Sequence, residues 1–379
     1  MKSNKSILLY GGSYNPIHQG HLNAVLNAQE VLKCDEIWLI PRKYNYDGTL
    51  LLSGKDRINM IKLATASFKN IKICDVELKD ENKELIYTYN TAKILVNSHK
   101  NYNFYFLIGA DQLNNLPHWY EVDKLTKLFH FVCYQRPGYP INQEIVNKYN
   151  VSVVNGKQIE VSSTLIRSGV FSNIDESIVK YIYKHQLYLK ERVMPYLSET
   201  RFIHVLSTAH LAKKIAYSLN VDTNRAYVAG ILHDIAKGKT NEEIYSIVKQ
   251  YFPRKANYPK YSLHAYASEY IAKEEFKITD KKILKAIRNH ARPCKNMSTL
   301  DKIIYCADKL EETRPFANKM DTIREMAFID IDKCFILTME DQVNYLKANN
   351  LKIDNNTCKM IEYYKGLLND ENTNNCSHD

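Results

Sequence analysis

Residues 11–21 read GGSYNPIHQGH and follow directly on the apolar run ILLY at residues 7–10. The run predicts a buried strand. Gly11 and Gly12 predict a turn whose backbone can approach a phosphate closely, and Pro16 fixes that turn. The residues beyond predict a helix that turns Leu22, Val25, Leu26 and Val31 toward a core. His18 and His21 fall near the start of this helix, where free backbone N–H groups favour anions. Two imidazoles placed there can hold the phosphates of a nucleotide. Transfer of a phosphoryl-type group needs mainly positioning and charge stabilisation, so no side-chain nucleophile is required. The plain alternative, a strand, turn and helix with two incidental histidines, is disfavoured by the register His18-Gln19-Gly20-His21.

Outward from this stretch, strand-like and helix-like segments alternate. Apolar strands are predicted at residues 36–41, 71–76, 104–109, 130–134 and 151–154, with helices at 55–67 and 88–98. Such alternation implies a doubly wound parallel sheet. Ligands of such sheets bind beyond the carboxyl ends of the strands, where residues 11–21 and 109–119 fall.

From about residue 190 the strand pattern stops and helical periodicity takes over, at residues 204–219, 224–235, 242–251, 265–275, 280–289, 300–310 and 331–349. The sequence thus divides into an α/β domain at 1–190, an all-α domain at 191–368 and a polar, disordered tail at 369–379, with the boundary near 189–196. The helical part carries a spaced set of metal-type ligands: His204, His233, Asp234, His264, His290 and Asp308. Imidazoles and carboxylates on several helices can converge in a bundle core on a metal. Neighbouring His233 and Asp234 face different ways on an ideal helix, so they need a helix end or a distortion to act together. Leu232 and Ile235 flank them, and a buried carboxylate must be paired or coordinated. His210 reads as an ordinary surface or core histidine.

Composition narrows the classes. The chain has 379 residues, of which 45% are hydrophobic and 25% charged, which suits two globular domains. Its net charge of +10 is spread along the chain without a dense block, which favours anionic nucleotides over a dedicated nucleic-acid groove. The eight cysteines contain no Cys-x-x-Cys pair, which argues against a thiolate zinc site. No apolar run approaches the roughly 20 residues that span a bilayer. MKSNKS leads straight into the first strand, so a cytoplasmic protein with reduced thiols, away from membranes, is expected.

The residues also carry family resemblances. Segment 11–21 resembles the His-x-Gly-His signature of the nucleotidyltransferase superfamily, and VSSTLIR at 161–167 resembles its Ser-Ser-Thr-x-Ile-Arg motif. GADQLNNLPHW at 109–119 looks like the nicotinate-nucleotide adenylyltransferase branch and not the pantetheine-phosphate branch. The resemblance, over about residues 5–189, implies a Rossmann-like domain. In it His18, His21 and Arg167 act on the ATP phosphates, and Gly11, Gly12, Ser13, Ser162, Ser163 and Thr164 bind nucleotide. Gly109 and Asp111 belong to the substrate pocket, Trp119 stacks on the pyridine ring, and Thr88 contacts the pyridine carboxylate. Where the family carries Pro-Pro-His-Lys this chain reads PRKYNYDG at 41–48, so the lysine's role passes to Lys43 or Arg42, or the loop is rebuilt. The implied reaction joins AMP from ATP to nicotinate mononucleotide, giving deamido-NAD and pyrophosphate, with Mg2+ neutralising the departing charge.

The helical part looks like the HD phosphohydrolases. KIIYCADKLEETRP at 302–315 resembles the symmetrical diadenosine tetraphosphate hydrolases found beside or fused to nicotinate-nucleotide adenylyltransferases. That resemblance, over about residues 192–360, implies that His204, His233, Asp234 and Asp308 ligate a first metal, Fe2+/Fe3+ or another divalent ion. It gives His264 and His290 a second metal or a phosphate, and Asp234 a catalytic part in activating water. Arg201, Lys237, Lys309 and Arg314 would grip the polyphosphate. Ala291-Arg292-Pro293 stands where the family often has Thr-Thr-Gly. The expectation is a bifunctional enzyme acting on ATP, nicotinate mononucleotide and diadenosine tetraphosphate, alone or as a homo-oligomer, without nucleic acid or membrane. The alternatives are a degenerate HD domain serving as a nucleotide-binding regulatory module, and an HD hydrolase of another nucleotide phosphate.

Overall fold

Three consecutive residues of the first strand, Ile7, Leu8 and Leu9, are fully buried. Side chains alternate faces along a strand, so both faces of the sheet are covered, as parallel sheets require. A computed structural model describes residues 4–45, 51–79, 81, 87–135, 138–157, 159–314 and 320–375. The strands are β1 (Lys5–Gly12), β2 (Glu36–Pro41), β3 (Ile71–Ile73), β4 (Tyr102–Gly109), β5 (His130–Gln135) and β6 (Ser152–Asn155). They form one sheet in the order β3-β2-β1-β4-β5-β6, and every pairing is parallel. The order reverses between β1 and β4, which leaves a crevice at their carboxyl ends. The connecting helices are α1 (Gln19–Leu32), α2 (Gly54–Ala64), α3 (Thr88–Ser98), α4 (Ala110–Asn115), α5 (Val122–Leu125), α6 (Gln143–Lys148), α7 (Ser163–Arg167) and α8 (Glu176–Lys184).

On α1, Leu22 and Val25 are buried as expected, but Val31 is 59% exposed. Val31 lies nine residues after Leu22, and at about 100° per residue that is half a turn off the buried face. The third strand stops at Ile73, short of residue 76, because a 3-10 turn begins at Val76.

The chain divides into two units, Met1–Ile182 and Tyr183–Asp379, earlier than the boundary read near residue 190. Residues 183–193 belong with the helical unit: Leu189 and Val193 are buried in its core. Arg192, 3% exposed, stacks its guanidinium on the rings of Tyr183 and Phe276 at 4.4 and 5.0 Å.

The second unit is built of helices joined by loops, with no strand among its described residues. Its helices are α9 (Leu189–Val193), α10 (Glu199–Ser218), α11 (Thr223–Leu232), α12 (Asn241–Tyr251), α13 (Lys260–Glu274), α14 (Lys281–Asn289), α15 (Thr299–Leu310), α16 (Asp321–Met326), α17 (Ile331–Ala348) and α18 (Asn355–Asn375). α18 corrects the expected tail, since residues 369–375 continue the helix anchored by buried Met360 and Tyr364. Residues 376–379 lie outside the described residues.

α10 and α11 cross at Gly230, where a Cβ would fall 2.7 Å from the Cα of Ala209. Gly230→Val is therefore expected to cost at least about 2 kcal/mol through overpacking. Thermal denaturation followed by circular dichroism should show the helical transition move down, and an unmoved transition would contradict the close crossing.

Candidate active sites and metal centre

The turn after β1 is held from several sides. Tyr14 adopts φ 45°, a left-handed conformation that costs a bulky residue about 1–3 kcal/mol. It is fully buried, and its hydroxyl donates to the Tyr10 carbonyl at 2.6 Å. Three turn carbonyls each accept a side-chain hydrogen bond. Buried Arg57 of α2 donates to Ser13 at 2.7 Å, Arg167 of α7 donates to Asn15 at 2.8 Å, and Ser163 donates to Pro16 at 2.9 Å. Arg167 also donates to the Thr164 hydroxyl at 3.1 Å, so two of its five donors hold the turn and its own helix. Ser162 caps α7, accepting from the Leu165 amide at 3.2 Å.

The two histidines meet at the start of α1. Their rings lie 3.8 Å apart, centre to centre. The His18 amide donates to His21 Nδ1 at 3.2 Å, which makes Nε2 the proton-bearing nitrogen of neutral His21. A Cβ on Gly20 would fall 3.1 Å from the His18 ring, so glycine lets that ring lie over the helix start. Gly11 and Gly12 end β1 beside this pair.

The remaining predicted residues of the first unit follow the ends of neighbouring strands. Lys43 lies just past β2, its ammonium 5.6 Å from the Tyr44 ring centre; residues 46–48 of the rebuilt stretch lie outside the described residues. Thr88 opens α3. Gly109 precedes α4 at the end of β4, and exposed Asp111 accepts from Gln112 at 3.1 Å. Trp119 is half-buried, edge-on to Phe106 and Phe131 at 6.4 and 6.0 Å. Its packing is partly that of a core residue.

In the second unit, α11 ends at Leu232, and His233 and Asp234 form the junction to a 3-10 turn at Ile235–Gly238. This helix end lets two adjacent side chains serve one centre. Asp234 Oδ2 lies 3.8 Å from His204 Nε2 and 3.7 Å from His233 Nε2. Asp308 Oδ1 lies 3.2 Å from His204 Nε2 and 3.5 Å from His233 Nε2. The other oxygen of Asp234, Oδ1, faces His264 at 3.1 Å and His290 at 3.4 Å. Donors each about 2.1 Å from a shared ion stand about 3.0–3.4 Å apart when adjacent; the 3.1, 3.2 and 3.4 Å pairs match that spacing, and the 3.5, 3.7 and 3.8 Å pairs lie just beyond it. Three overlapping trios, His204/His233/Asp234, His233/His290/Asp308 and Asp234/His264/His290, each have ligand atoms within 4.8 Å of one another. The Nε2 atoms of His204 and His233 and Oδ1 of Asp234 are buried without a hydrogen-bond partner. Stranded polar atoms are costly; a cation between His204 and His233 would satisfy the two nitrogens, and a cation or donor on the His264 and His290 side would satisfy Asp234 Oδ1.

The far nitrogens are fixed. His233 and His290 donate from Nδ1 to the carbonyls of Gly230 and Ile287 at 2.7 and 2.6 Å. His204 Nδ1 donates to Glu311 at 2.9 Å. These bonds leave each Nε2 lone pair toward the centre. Glu311 was not singled out from the sequence; it stands 107 residues from His204, and only its place within the stretch 302–315 pointed toward it. It is fully buried. Burial pushes its carboxyl up, but hydrogen bonds from His204 and Thr313 outweigh that and bring it to about 2. Burial likewise disfavours charge on Asp234 and Asp308, yet His233 beside the first and Lys309 beside the second hold both well below the ordinary carboxylate range. Burial brings His290 down to about 4.

A cavity of about 980 Å³ opens on this centre, lined in part by Arg201, Lys237, Lys309 and Arg314. Arg201 donates to Asp234 at 2.9 Å, while Lys309 and Arg314 reach Asp308 at 2.9 and 2.5 Å. Ala291 also lines the cavity, whereas Arg292 donates to Asp354 at 3.0 Å. His210 is exposed, edge-on to Tyr227.

Comparison with known proteins covers both units. The Cytidylyltransferase-like family model matches residues 9–169 and the HD domain model residues 201–313. The "Probable nicotinate-nucleotide adenylyltransferase/Ap4A hydrolase" of Mycoplasma genitalium is 33% identical over 352 residues, covering 90% of this chain and 99% of its own length. The protein of the same description in Mycoplasma pneumoniae is 32% identical over 310 residues, 81% of this chain and 89% of its own. A "Probable nicotinate-nucleotide adenylyltransferase" of Oceanobacillus iheyensis is 34% identical over 193 residues, 48% of this chain and 97% of its own. No helix among the described residues is long and apolar enough to cross a membrane.

Proposed function

The chain belongs to the family of nicotinate-nucleotide adenylyltransferase/Ap4A hydrolase fusion proteins, and from that premise we infer a bifunctional enzyme. The first unit transfers AMP from ATP to nicotinate mononucleotide, giving deamido-NAD and pyrophosphate. The second hydrolyses diadenosine tetraphosphate to two ADP. What carries this reading is that one chain holds both constellations, the paired histidines at the sheet's switch point and the buried His/Asp cage. A relative similar over 90% of the chain supports the pairing.

In the transferase, the 5′-phosphate oxygen of nicotinate mononucleotide forms a bond to the α-phosphorus of ATP as the bond to the β-phosphate oxygen breaks. Gly11, Gly12 and Ser13 let the backbone approach the triphosphate. His18 and His21 donate to its oxygens, and Ser162, Ser163 and Thr164 add hydroxyls. Arg167 contributes fixed positive charge beyond its hold on Asn15, and Lys43 supplies a further cation. Thr88, Gly109 and Asp111 line the mononucleotide pocket, and Trp119 offers its face to the pyridine. Mg2+ on the phosphates would neutralise the leaving pyrophosphate.

In the hydrolase, a divalent metal is held by the HD cage, with His204, His233, Asp234 and Asp308 as ligands. His264 and His290 face the second oxygen of Asp234 and suit a second ion or a phosphate. The mixed imidazole and carboxylate set suits iron or another divalent ion. When bound, the metal supplies a Lewis acid that lowers the pKa of water. Arg201, Lys237, Lys309 and Arg314 bind the polyphosphate and offset the charge that gathers on the departing ADP.

The test is product identification on the purified chain with iron, manganese or magnesium. ATP with nicotinate mononucleotide should yield deamido-NAD, and diadenosine tetraphosphate should yield ADP alone. Release of ATP and AMP from the tetraphosphate would overturn the symmetrical assignment. Glu311→Gln, which removes the anionic acceptor of His204, should weaken metal binding about 10- to 100-fold. Titration with metal followed by calorimetry measures this, and unchanged affinity would remove Glu311 from the centre's support.

A further inference from the structure

We propose that the part of the helical unit's cavity lined by Tyr261, Gln342 and Tyr345 is a nucleobase subsite, which places one adenine of the dinucleotide against α13 and α17. The proposal rests on the hydrolase reading above and extends it to recognition of the base.

The cavity has two chemical characters. Arg201, Lys237, Lys309 and Arg314 come from α10, the 3-10 turn at Ile235–Gly238, and the end of α15 and the residues beyond it, and they suit phosphate. The lining from α17 and the start of α13 brings no cation. It brings Tyr261, Asp341, Gln342 and Tyr345. Asp341 has no cationic partner among the described residues, so it repels phosphate there and favours a neutral sugar or base.

Two aromatic rings in this part are available for stacking. Tyr261 is 48% and Tyr345 54% exposed, and neither ring touches another ring among the described residues. Both line a cavity of about 980 Å³, at the upper end of the roughly 300–1,000 Å³ typical of small-molecule sites. Tyr261 is held in place: its hydroxyl donates to Asp354 at 2.7 Å, and Asp354 also accepts from Arg292 at 3.0 Å.

Gln342 adds direction. Its Oε1 accepts from the hydroxyl of fully buried Tyr305 at 2.9 Å. With the carboxamide oxygen engaged, the NH2 group is the recognising end, a double donor. Purine ring nitrogens are acceptors, so stacking on tyrosine together with donation from Gln342 fits an adenine.

The experiment compares inhibition of diadenosine tetraphosphate hydrolysis by ADP and by inorganic tripolyphosphate, in the full-length metal-loaded protein. Stacked bases are typically worth enough that alanine substitution weakens binding about 5- to 150-fold. Tyr345→Ala should raise the inhibition constant for ADP within that range and leave that for tripolyphosphate unmoved. Gln342→Glu keeps an acceptor for Tyr305 but removes the donors, and should weaken ADP more than tripolyphosphate, on which only the added charge acts. An unchanged ADP constant in both variants, or equal rises for ADP and tripolyphosphate, would overturn the subsite. A wild-type protein that neither cleaves the tetraphosphate nor responds to ADP would instead overturn the hydrolase reading beneath it.

Discussion

Asp234→Ala should abolish hydrolysis of diadenosine tetraphosphate and leave adenylyl transfer at the wild-type rate. Asp234 faces two pairs of imidazoles with two different oxygens, so no other residue of the cage substitutes for it. Its removal takes a ligand from the first position and the shared anion from the second, and it leaves Arg201 without its carboxylate. Loss of a metal's electrostatic contribution is worth several kcal/mol, so a fall of at least about 10³-fold is expected. Elemental analysis of the purified variant should find the metal depleted. Both activities should be assayed on one preparation together with its thermal transition by circular dichroism, because intact transfer reports only on the first unit and an unmoved helical transition is needed to show that the second is folded. Full metal content with undiminished hydrolysis would remove the His/Asp cage from the chemistry.

His21→Ala should have the reverse effect, suppressing deamido-NAD formation by about 10²- to 10³-fold, the scale for losing one preorganised donor to developing charge. The substitution also takes away the acceptor of the His18 amide and the ring against which His18 lies. His21→Asn separates these effects, since its side-chain oxygen can still accept at the helix start. If both variants lose transfer while the asparagine variant keeps the thermal stability of wild type, the imidazole acts on phosphate. Intact adenylation in His21→Ala would end the assignment of the first site.

Much of this arrangement is legible in the sequence because its signals are local. A strand, two glycines and a histidine pair fall within residues 7–21, and His233 and Asp234 are neighbours. The strand alternation gave the sheet, since buried parallel strands are continuous apolar runs. Supports made by distant chain segments were not legible. Arg57 and Ser13 are 44 positions apart, and His204 and Glu311 are 107 apart; no periodicity connects either pair. Polar composition also misled at the end of the chain, where Asn and Asp residues suggested disorder. A helix needs only one anchored face, and Met360 and Tyr364, four residues apart, provide it. Val31 shows the converse, an apolar residue on the wet side of its helix.

The tethers on the turn after β1 have a consequence for how the first unit can be cut. Ser163, Arg167 and Asn173, whose carbonyl accepts from the Gln19 amide at 3.0 Å, all lie beyond the last strand. An early stop between residues 156 and 162 would therefore spare every strand, yet strip the turn of its links to Ser163, Arg167 and Asn173 and leave it held by Arg57 and Tyr14 alone among these ties. Such a form is expected to keep its sheet and lose adenylyl transfer, so retained secondary structure would be a poor proxy for activity in shortened forms of this unit.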